Sequence, residues 1–281
     1  MEVWGRYFPN AKVLIGCDIN PNCRALVYDD PRISVVVGDA NTESTTAEIL
    51  DKSDVFDIII DDGSHRSSDI VKTFSNYFHV LVDDGVFAAE DLHCSYWREF
   101  EGGLYAPYSA LSFFKRLADI VGQEHWGVQK TGPELLCGFS ERYGATFEDV
   151  WLAHIHSVEF INSMCIIRKS LPEHNRLGKR IISGRSAQVA GDLMELALTT
   201  SKSPPQDNNA LANMSAAPEE ALFSLTAELG EKEARINFLN AELNAHKVLL
   251  SAIFASRSWR MKRILHKAGA ALRKLIRTSG M

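Results

Sequence analysis

Two acidic clusters carry the strongest chemical signal in the chain. Asp57-Ile58-Ile59-Ile60-Asp61-Asp62-Gly63-Ser64-His65 is followed about 25 residues later by Val86-Phe87-Ala88-Ala89-Glu90-Asp91-Leu92-His93. Each cluster ends an apolar run. If the two runs are neighbouring strands they lie ~4.8 Å apart, and Asp62, Glu90 and Asp91 then converge on one point at the carboxyl edge of a sheet. Three carboxylates so close repel one another unless protons or a cation neutralise them. Oxygen donors alone select a hard ion, with Mg²⁺ ahead of Mn²⁺ or Ca²⁺. His65, three residues after Asp62, is placed to take a proton from a hydroxyl that such an ion has acidified. Taken singly, an Asp or Gly after a strand is a turn former, and Asp84-Gly85 is assigned that role alone. The joint occurrence of both clusters with His65 is what points to a site.

Asp18 closes the run Val13-Leu14-Ile15-Gly16-Cys17, and an acid there commonly accepts hydrogen bonds from the ribose hydroxyls of a nucleotide-like cofactor. Asp39, in Val37-Gly38-Asp39-Ala40, ends the next run and is expected on the adenine side of the same crevice. Two acids without a phosphate-binding signal suit a nucleoside cofactor better than a dinucleotide.

The elements that must position these residues are legible as short apolar runs at 13–17, 33–37, 55–60 and 86–89, each bounded by Asp, Gly or Pro and predicted to be buried parallel strands. Helical segments are predicted between them at 45–50 and 68–81, where Ile70, Phe74, Tyr77 and Phe78 recur at helical spacing. Alternating strands and helices imply βαβ units, an α/β fold with its site at the strands' carboxyl ends. Residues 157–161 and 164–168 flank Asn162-Ser163, a hairpin signal that predicts a terminal antiparallel pair.

The chain has 281 residues, of which 46% are hydrophobic and 23% charged, which excludes a wholly disordered protein. Charge is unevenly spread. Residues 256–281 hold eight Lys/Arg and no Asp/Glu, leaving 22 Lys/Arg against 36 Asp/Glu elsewhere, so the body is near -14 and the tail +8. That split argues against a uniformly basic nucleic-acid binder, and no nucleic-acid partner is expected. The cysteines at 17, 23, 94, 137 and 165 are odd in number and lack C-x-x-C spacing, so neither a disulfide framework nor a zinc knot is indicated. With no signal-peptide core at the amino terminus and no membrane-length apolar run, a reducing cytoplasm is the expected location.

The order Cys17-Asp18-Ile19-Asn20-Pro21, Val37-Gly38-Asp39-Ala40, Asp57 to His65, Glu90-Asp91-Leu92-His93-Cys94-Ser95-Tyr96-Trp97 and the hairpin Ser157 to Lys169 resembles the class I S-adenosylmethionine-dependent methyltransferases. In particular it is similar to the metal-dependent sugar O-methyltransferases of the macrocin and mycinamicin type, over roughly residues 4–169. The resemblance implies a Rossmann-like sheet, parallel with a terminal antiparallel hairpin. It also implies Asp62, Glu90 and Asp91 as Mg²⁺ ligands, His65 as general base, and Asp18, Asp39 and Asp61 as contacts of S-adenosylmethionine. His93, Tyr96 and Trp97 match a stretch beside the site and are expected to line a sugar pocket, with core packing the competing role for Trp97. One departure follows. In that fold a glycine-rich turn after a central first strand holds the cofactor's methionine end, and no Glu-x-Gly-x-x-x-Gly stretch precedes residue 13 here. The chain is therefore read as amino-terminally truncated relative to that family, its strands at 13 and 55 lacking a shared neighbour.

Four segments are expected: a methyltransferase-like domain at 1–180, a helical segment and linker at 181–218, a coiled coil at 219–255 and a basic amphipathic tail at 256–281. The linker composition is clearest at 201–218, rich in Ser, Pro, Asn and Ala. Leu222, Leu229, Ile236, Leu243 and Leu250 are spaced by sevens, with Leu225, Leu239 and Ile253 between them, which predicts homo-oligomerisation through a coiled coil. In the tail, Leu265, Ala268, Leu272, Leu275 and Ile276 form one apolar face amid Arg257, Arg260, Lys262, Arg263, Lys267, Arg273, Lys274 and Arg277, the pattern of a helix on an anionic membrane surface. Ser256-Arg257-Ser258-Trp259-Arg260 also resembles tails that follow coiled coils in bacterial glycosyltransferases and associated glycan-modifying enzymes, which implies a glycosyltransferase contact as the rival. The leading expectation is a Mg²⁺-dependent O-methyltransferase acting on a sugar hydroxyl of a polysaccharide or glycosylated metabolite. The rivals are a degenerate scaffold that oligomerises in a glycan-assembly complex and, more remotely, an iron oxygenase drawing on His65, His93 and Asp62.

Overall fold

The computed structural model describes residues 1–184 and 191–278, with side chains as far as Arg273. The side chains of Lys274, Leu275, Ile276 and Arg277 therefore lie outside the described residues, as do residues 185–190 of the expected linker region. The chain forms two compact units, Met1–Ala221 and Leu222 onward.

In the first unit, helix α1 (Glu2–Tyr7) leads into strand β1 (Leu14–Asp18), which pairs in parallel with β2 (Ile33–Val37). Arg32 ties these pieces together: its guanidinium pairs with Asp30 at 2.6 Å and donates to the carbonyls of Gly5, Phe8, Pro9 and Ala11. Helix α2 (Glu43–Lys52) buries Thr45 and Ile49, then β3 (Phe56–Asp61), α3 (Ser67–Tyr77) and β4 (Leu81–Ala89) complete a βαβ unit. Helices α4 (Ala110–Val121), α5 (Gly132–Leu135), α6 (Cys137–Tyr143) and α7 (Asp149–Leu152) precede the hairpin of β5 (Ile155–Ile161) and β6 (Met164–Lys169).

The expected single sheet is two. β1 and β2 form one, and β3-β4-β6-β5 the other, with β3 and β4 parallel and β6 antiparallel to both its neighbours. β1 and β3 share no backbone ladder, so each has one unpaired edge. This also corrects their burial: no residue of β1 is fully buried and Ile58 of β3 is 40% exposed, whereas Phe87 and Ala89 of the doubly flanked β4 are inaccessible. β4 is longer than the run at 86–89 suggests. Leu81 pairs with Phe56, and the register then slips before Val86 meets Ile58. Asp84 absorbs the slip in the left-handed region (φ 64°), so Asp84-Gly85 acts as a bulge inside a strand and not as its boundary. The hairpin forms at the expected place, with Ser163 at φ 69° in its turn.

The main core lies between the four-stranded sheet and α3 and α4, where Phe74, Phe78, Phe87, Phe113, Phe114 and Phe139 are buried together. A smaller cluster joins the two sheets: Val36 of β2, Ile49 of α2 and Tyr77 of α3 pack with Ile15, Phe56 and Ile59. Polar bonds reinforce it. The Tyr77 hydroxyl donates to the Ala40 carbonyl at 2.7 Å and to Thr46 Oγ1 at 3.2 Å, and Asn76 Nδ2 donates to Asn41 Oδ1 at 3.3 Å. Residues 201–218 run irregularly along this unit and bond to it, with Ser203 Oγ donating to the Glu124 carbonyl and Lys130 Nζ to that of Met214.

The second unit is helical. Helix α8 (Pro218–Ala255) roots in the first unit, where Glu220 is buried and lies 3.6 Å from Arg116, and then continues into the second; α9 (Arg257–Thr278) follows. No helix of the described residues is long and apolar enough to cross a membrane.

Candidate functional site

The parallel ladder places both acidic clusters at adjacent strand ends. Asp61 stands opposite Ala89, and the Glu90 amide donates to the Asp61 carbonyl at 2.9 Å. Just beyond, ligand-capable atoms of Asp62, His65 and Asp91 all lie within 4.8 Å of one another. His65 Nε2 is 3.6 Å from Asp91 Oδ2, with the His65 side chain 23% and that of Asp91 50% exposed. Glu90 stands outside that tightest group, yet it feels the same charge: burial, then Asp62 and Asp91, push its carboxyl up, against an opposing pull from His65. Uncompensated negative charge on oxygen donors, with one imidazole among them, fits a hard divalent cation.

The backbone is held in costly conformations to achieve this. His65 (φ 58°) and Asp91 (φ 49°) are both in the left-handed region, as are Glu101 (φ 62°) and Ser163 (φ 69°) close by in the same network. Non-glycine residues pay on the order of 1 kcal/mol or more for this, so surrounding bonds must enforce it. Ser64 Oγ donates to Asp69 Oδ2 at 2.5 Å and accepts from the Arg66 amide at 3.2 Å. Glu101, 33 residues further on, caps the start of α3: it accepts from the Ser68 amide at 2.9 Å and from Arg66 Nη2 at 2.8 Å. Burial alone would raise the Glu101 carboxyl, but the Arg66 and Ser68 bonds outweigh it and hold the group below its ordinary range. Ser67 Oγ donates to the Phe100 carbonyl and accepts from the Ala110 amide, which pins the loop after Asp91 to both α3 and α4.

His93 Nδ1 lies 2.6 Å from Ser163 Oγ and 3.8 Å from Asp91 Oδ1. Trp97 stands edge-on to His93 at 5.0 Å between ring centroids, and with Tyr96 it is about half exposed. Trp97 is therefore a surface residue beside the acids and not part of the core. Asp18 ends β1 and Asp39 lies two residues beyond the end of β2, and the Gly38 amide donates to the Asp18 carbonyl at 3.0 Å. Both are exposed and each organises its own turn, Asp18 accepting from the Asn20 amide and Asp39 from the Asn41 amide. Asp61 differs. Its Oδ1 accepts from the Gly63 amide while its buried Oδ2 has no partner, and burial raises its carboxyl against the opposing pull of Thr73, Gly63 and His65. An orphaned buried oxygen beside the crevice fits a hydrogen-bonding ligand. Glu101, Ser163 and Phe100 were not foreseeable: their contacts bridge 33 to 70 residues, with no local spacing to reveal them.

Acids beyond the carboxyl ends of parallel strands stand where α/β folds generally bind their ligands. The similarity is to the class I S-adenosylmethionine-dependent methyltransferases of the macrocin and mycinamicin type. The chain is 36% identical over 120 residues to the 8-demethyl-8-alpha-L-rhamnosyl tetracenomycin-C 2'-O-methyltransferase of Streptomyces olivaceus. It is 32% identical over 102 residues to the demethylmacrocin O-methyltransferase of Streptomyces fradiae, and 30% over 125 residues to the mycinamicin VI 2''-O-methyltransferase of Micromonospora griseorubida. These matches take in 42%, 36% and 43% of this chain but 31%, 25% and 30% of the relatives, so the chain spans under a third of the length of the curated proteins it matches. Among solved structures, the mycinamycin-pathway MycE methyltransferase in complex with Mg, SAH and mycinamycin VI aligns at a TM-score of 0.48 and 22% identity, covering 60% of this chain and 39% of that one. No family model matches the chain.

Proposed function

We propose that this chain carries the catalytic half-site of a Mg²⁺-dependent O-methyltransferase that moves a methyl group from S-adenosylmethionine to a sugar hydroxyl, on a glycosylated metabolite or a polysaccharide. The observation that carries it is the convergence of Asp62, His65 and Asp91 at the ends of β3 and β4, on backbone held in the left-handed region. The relatives' names, one of them a 2'-O-methyltransferase of a rhamnosyl compound, support the substrate class.

Asp62 and Asp91, with Glu90 beside them, would hold Mg²⁺, whose contribution when bound is to lower the pKa of a coordinated hydroxyl. His65 accepts the hydroxyl proton at an imidazole nitrogen, and Asp91, 3.6 Å from Nε2, stabilises the resulting cation. The sugar oxygen forms the new O–C bond as the methyl–sulfur bond breaks, and S-adenosylhomocysteine leaves. Asp18 and Asp39 are the residues expected at the ribose and adenine, and Asp61 at the cofactor's edge. Trp97 and Tyr96, half exposed beside His93, offer the apolar face on which a pyranose ring rests.

Calorimetric titration of the folded chain with S-adenosylmethionine, with and without Mg²⁺, is the primary test. Binding of either ligand, with methylation of a deoxyhexose-bearing acceptor that chelator abolishes and Mg²⁺ restores, is expected. A folded sample that binds neither ligand overturns the reading.

A further inference from the structure

Helix α9 sets an exposed apolar face among cations with no acid between them. Ser256 separates it from α8. The Ser256 amide donates to the Ile253 carbonyl at 3.1 Å and its Oγ accepts from the Trp259 amide at 3.3 Å, so one residue closes one helix and caps the next. At ~100° per residue, Met261, Ile264, Leu265, Ala268 and Leu272 fall within an arc of roughly 100°. Met261, Ile264, Leu265 and Leu272 are each more than 60% exposed. Lys262 and Arg273 flank that arc on one side and Arg260 and Lys267 on the other, Arg263 stands on the opposite face, and Arg257 falls within the arc at the helix's first residue. No acid occurs anywhere from 256 to 281.

We propose that α9 is an interfacial helix that holds this protein on an anionic lipid bilayer. The arc is the width a helix lying in the plane of the headgroups sinks into the acyl boundary. Cations on both borders can extend their aliphatic stems along the apolar surface and carry their charge up to the lipid phosphates. Charge complementarity favours a membrane over the chain's own surface chemistry elsewhere. Residues 1–255, near -14, are repelled by an anionic surface, so attraction resides in this helix alone. A nucleic acid would answer the cations but leave the apolar arc in water.

The test uses the full chain and sedimentation with vesicles of phosphatidylcholine alone or with roughly one-quarter phosphatidylglycerol. Wild type is expected to pellet with the anionic vesicles, to remain in solution with the neutral ones, and to be released by high salt. Leu265→Glu with Leu272→Glu, both on exposed helix surface, is expected to abolish binding while gel-filtration volume and thermal transition stay as in wild type. Arg260→Gln, Arg263→Gln and Lys267→Gln together are expected to weaken association on the order of a hundred-fold, about five-fold per residue. Equal binding to neutral vesicles, retention of binding by the Leu double variant, or failure of wild type to bind anionic vesicles overturns the proposal. Duplex DNA binding that survives the Leu substitutions, with no vesicle binding, assigns the helix to nucleic acid instead.

Discussion

In the proposed mechanism His65 and Asp91 have different roles although their side chains lie 3.6 Å apart, and substitution should separate them. His65→Ala removes a proton acceptor but no carboxylate, so turnover is expected to fall about 10² to 10⁴-fold with S-adenosylmethionine affinity unchanged, measured by steady-state kinetics beside calorimetry. Asp91→Asn is expected to weaken Mg²⁺ binding in metal titrations while the cofactor still binds. Glu101 gives a pH signature. Its carboxyl is held below its ordinary range, so the stability it contributes is complete above the unfolded value of about 4.3 and is lost as pH falls through the lower folded value. Urea unfolding should show Glu101→Gln less stable by about 1 kcal/mol near neutrality, with the gap closing in acid. That Asp62, His65 and Asp91 meet at adjacent strand ends was legible because both acidic clusters directly follow apolar runs. Glu101 was not, because its value lies in where a remote loop returns.

Among the elements, those read from apolar periodicity, β2, β3, α3 and the hairpin, stand within a residue or a few of their expected places. β4 outran its expected span because Asp84-Gly85 spells a turn, and only the partner strand, with Leu81 already paired to Phe56, makes it a bulge. One sheet was expected, with the strands at 13 and 55 lacking a shared neighbour; neither its division in two nor the polar ties between the parts was foreseen. Tyr77→Phe tests them. Losing the bonds to Ala40 and Thr46 should cost about 1–2 kcal/mol by urea unfolding and should weaken S-adenosylmethionine binding while Mg²⁺ binding is unaffected.

For the whole molecule, the long helix α8 carries Leu229, Ile236, Leu243 and Leu250 at sevenfold spacing, each at least half exposed within the chain. A lone helix of that composition is a poor solute, so self-association is expected. Leu229→Glu with Leu243→Glu should lower the mass found by sedimentation equilibrium without altering the unfolding of residues 1–221, and an unchanged mass would show that α8 does not pair copies. Helix α3 has a different significance at this scale. Its first turn is braced by Glu101, its Thr73 and Asn76 donate to Asn41 after β2, and its last residue, Tyr77, donates to Ala40. With no ladder joining the two sheets, eleven residues of one helix act as the gauge block between the strand ends assigned to the methyl donor and those assigned to the acceptor. Under the proposed function, the reach of the transfer would then depend on the stiffness of that helix, and a single softened turn within it would change reactivity without touching a residue placed at either substrate.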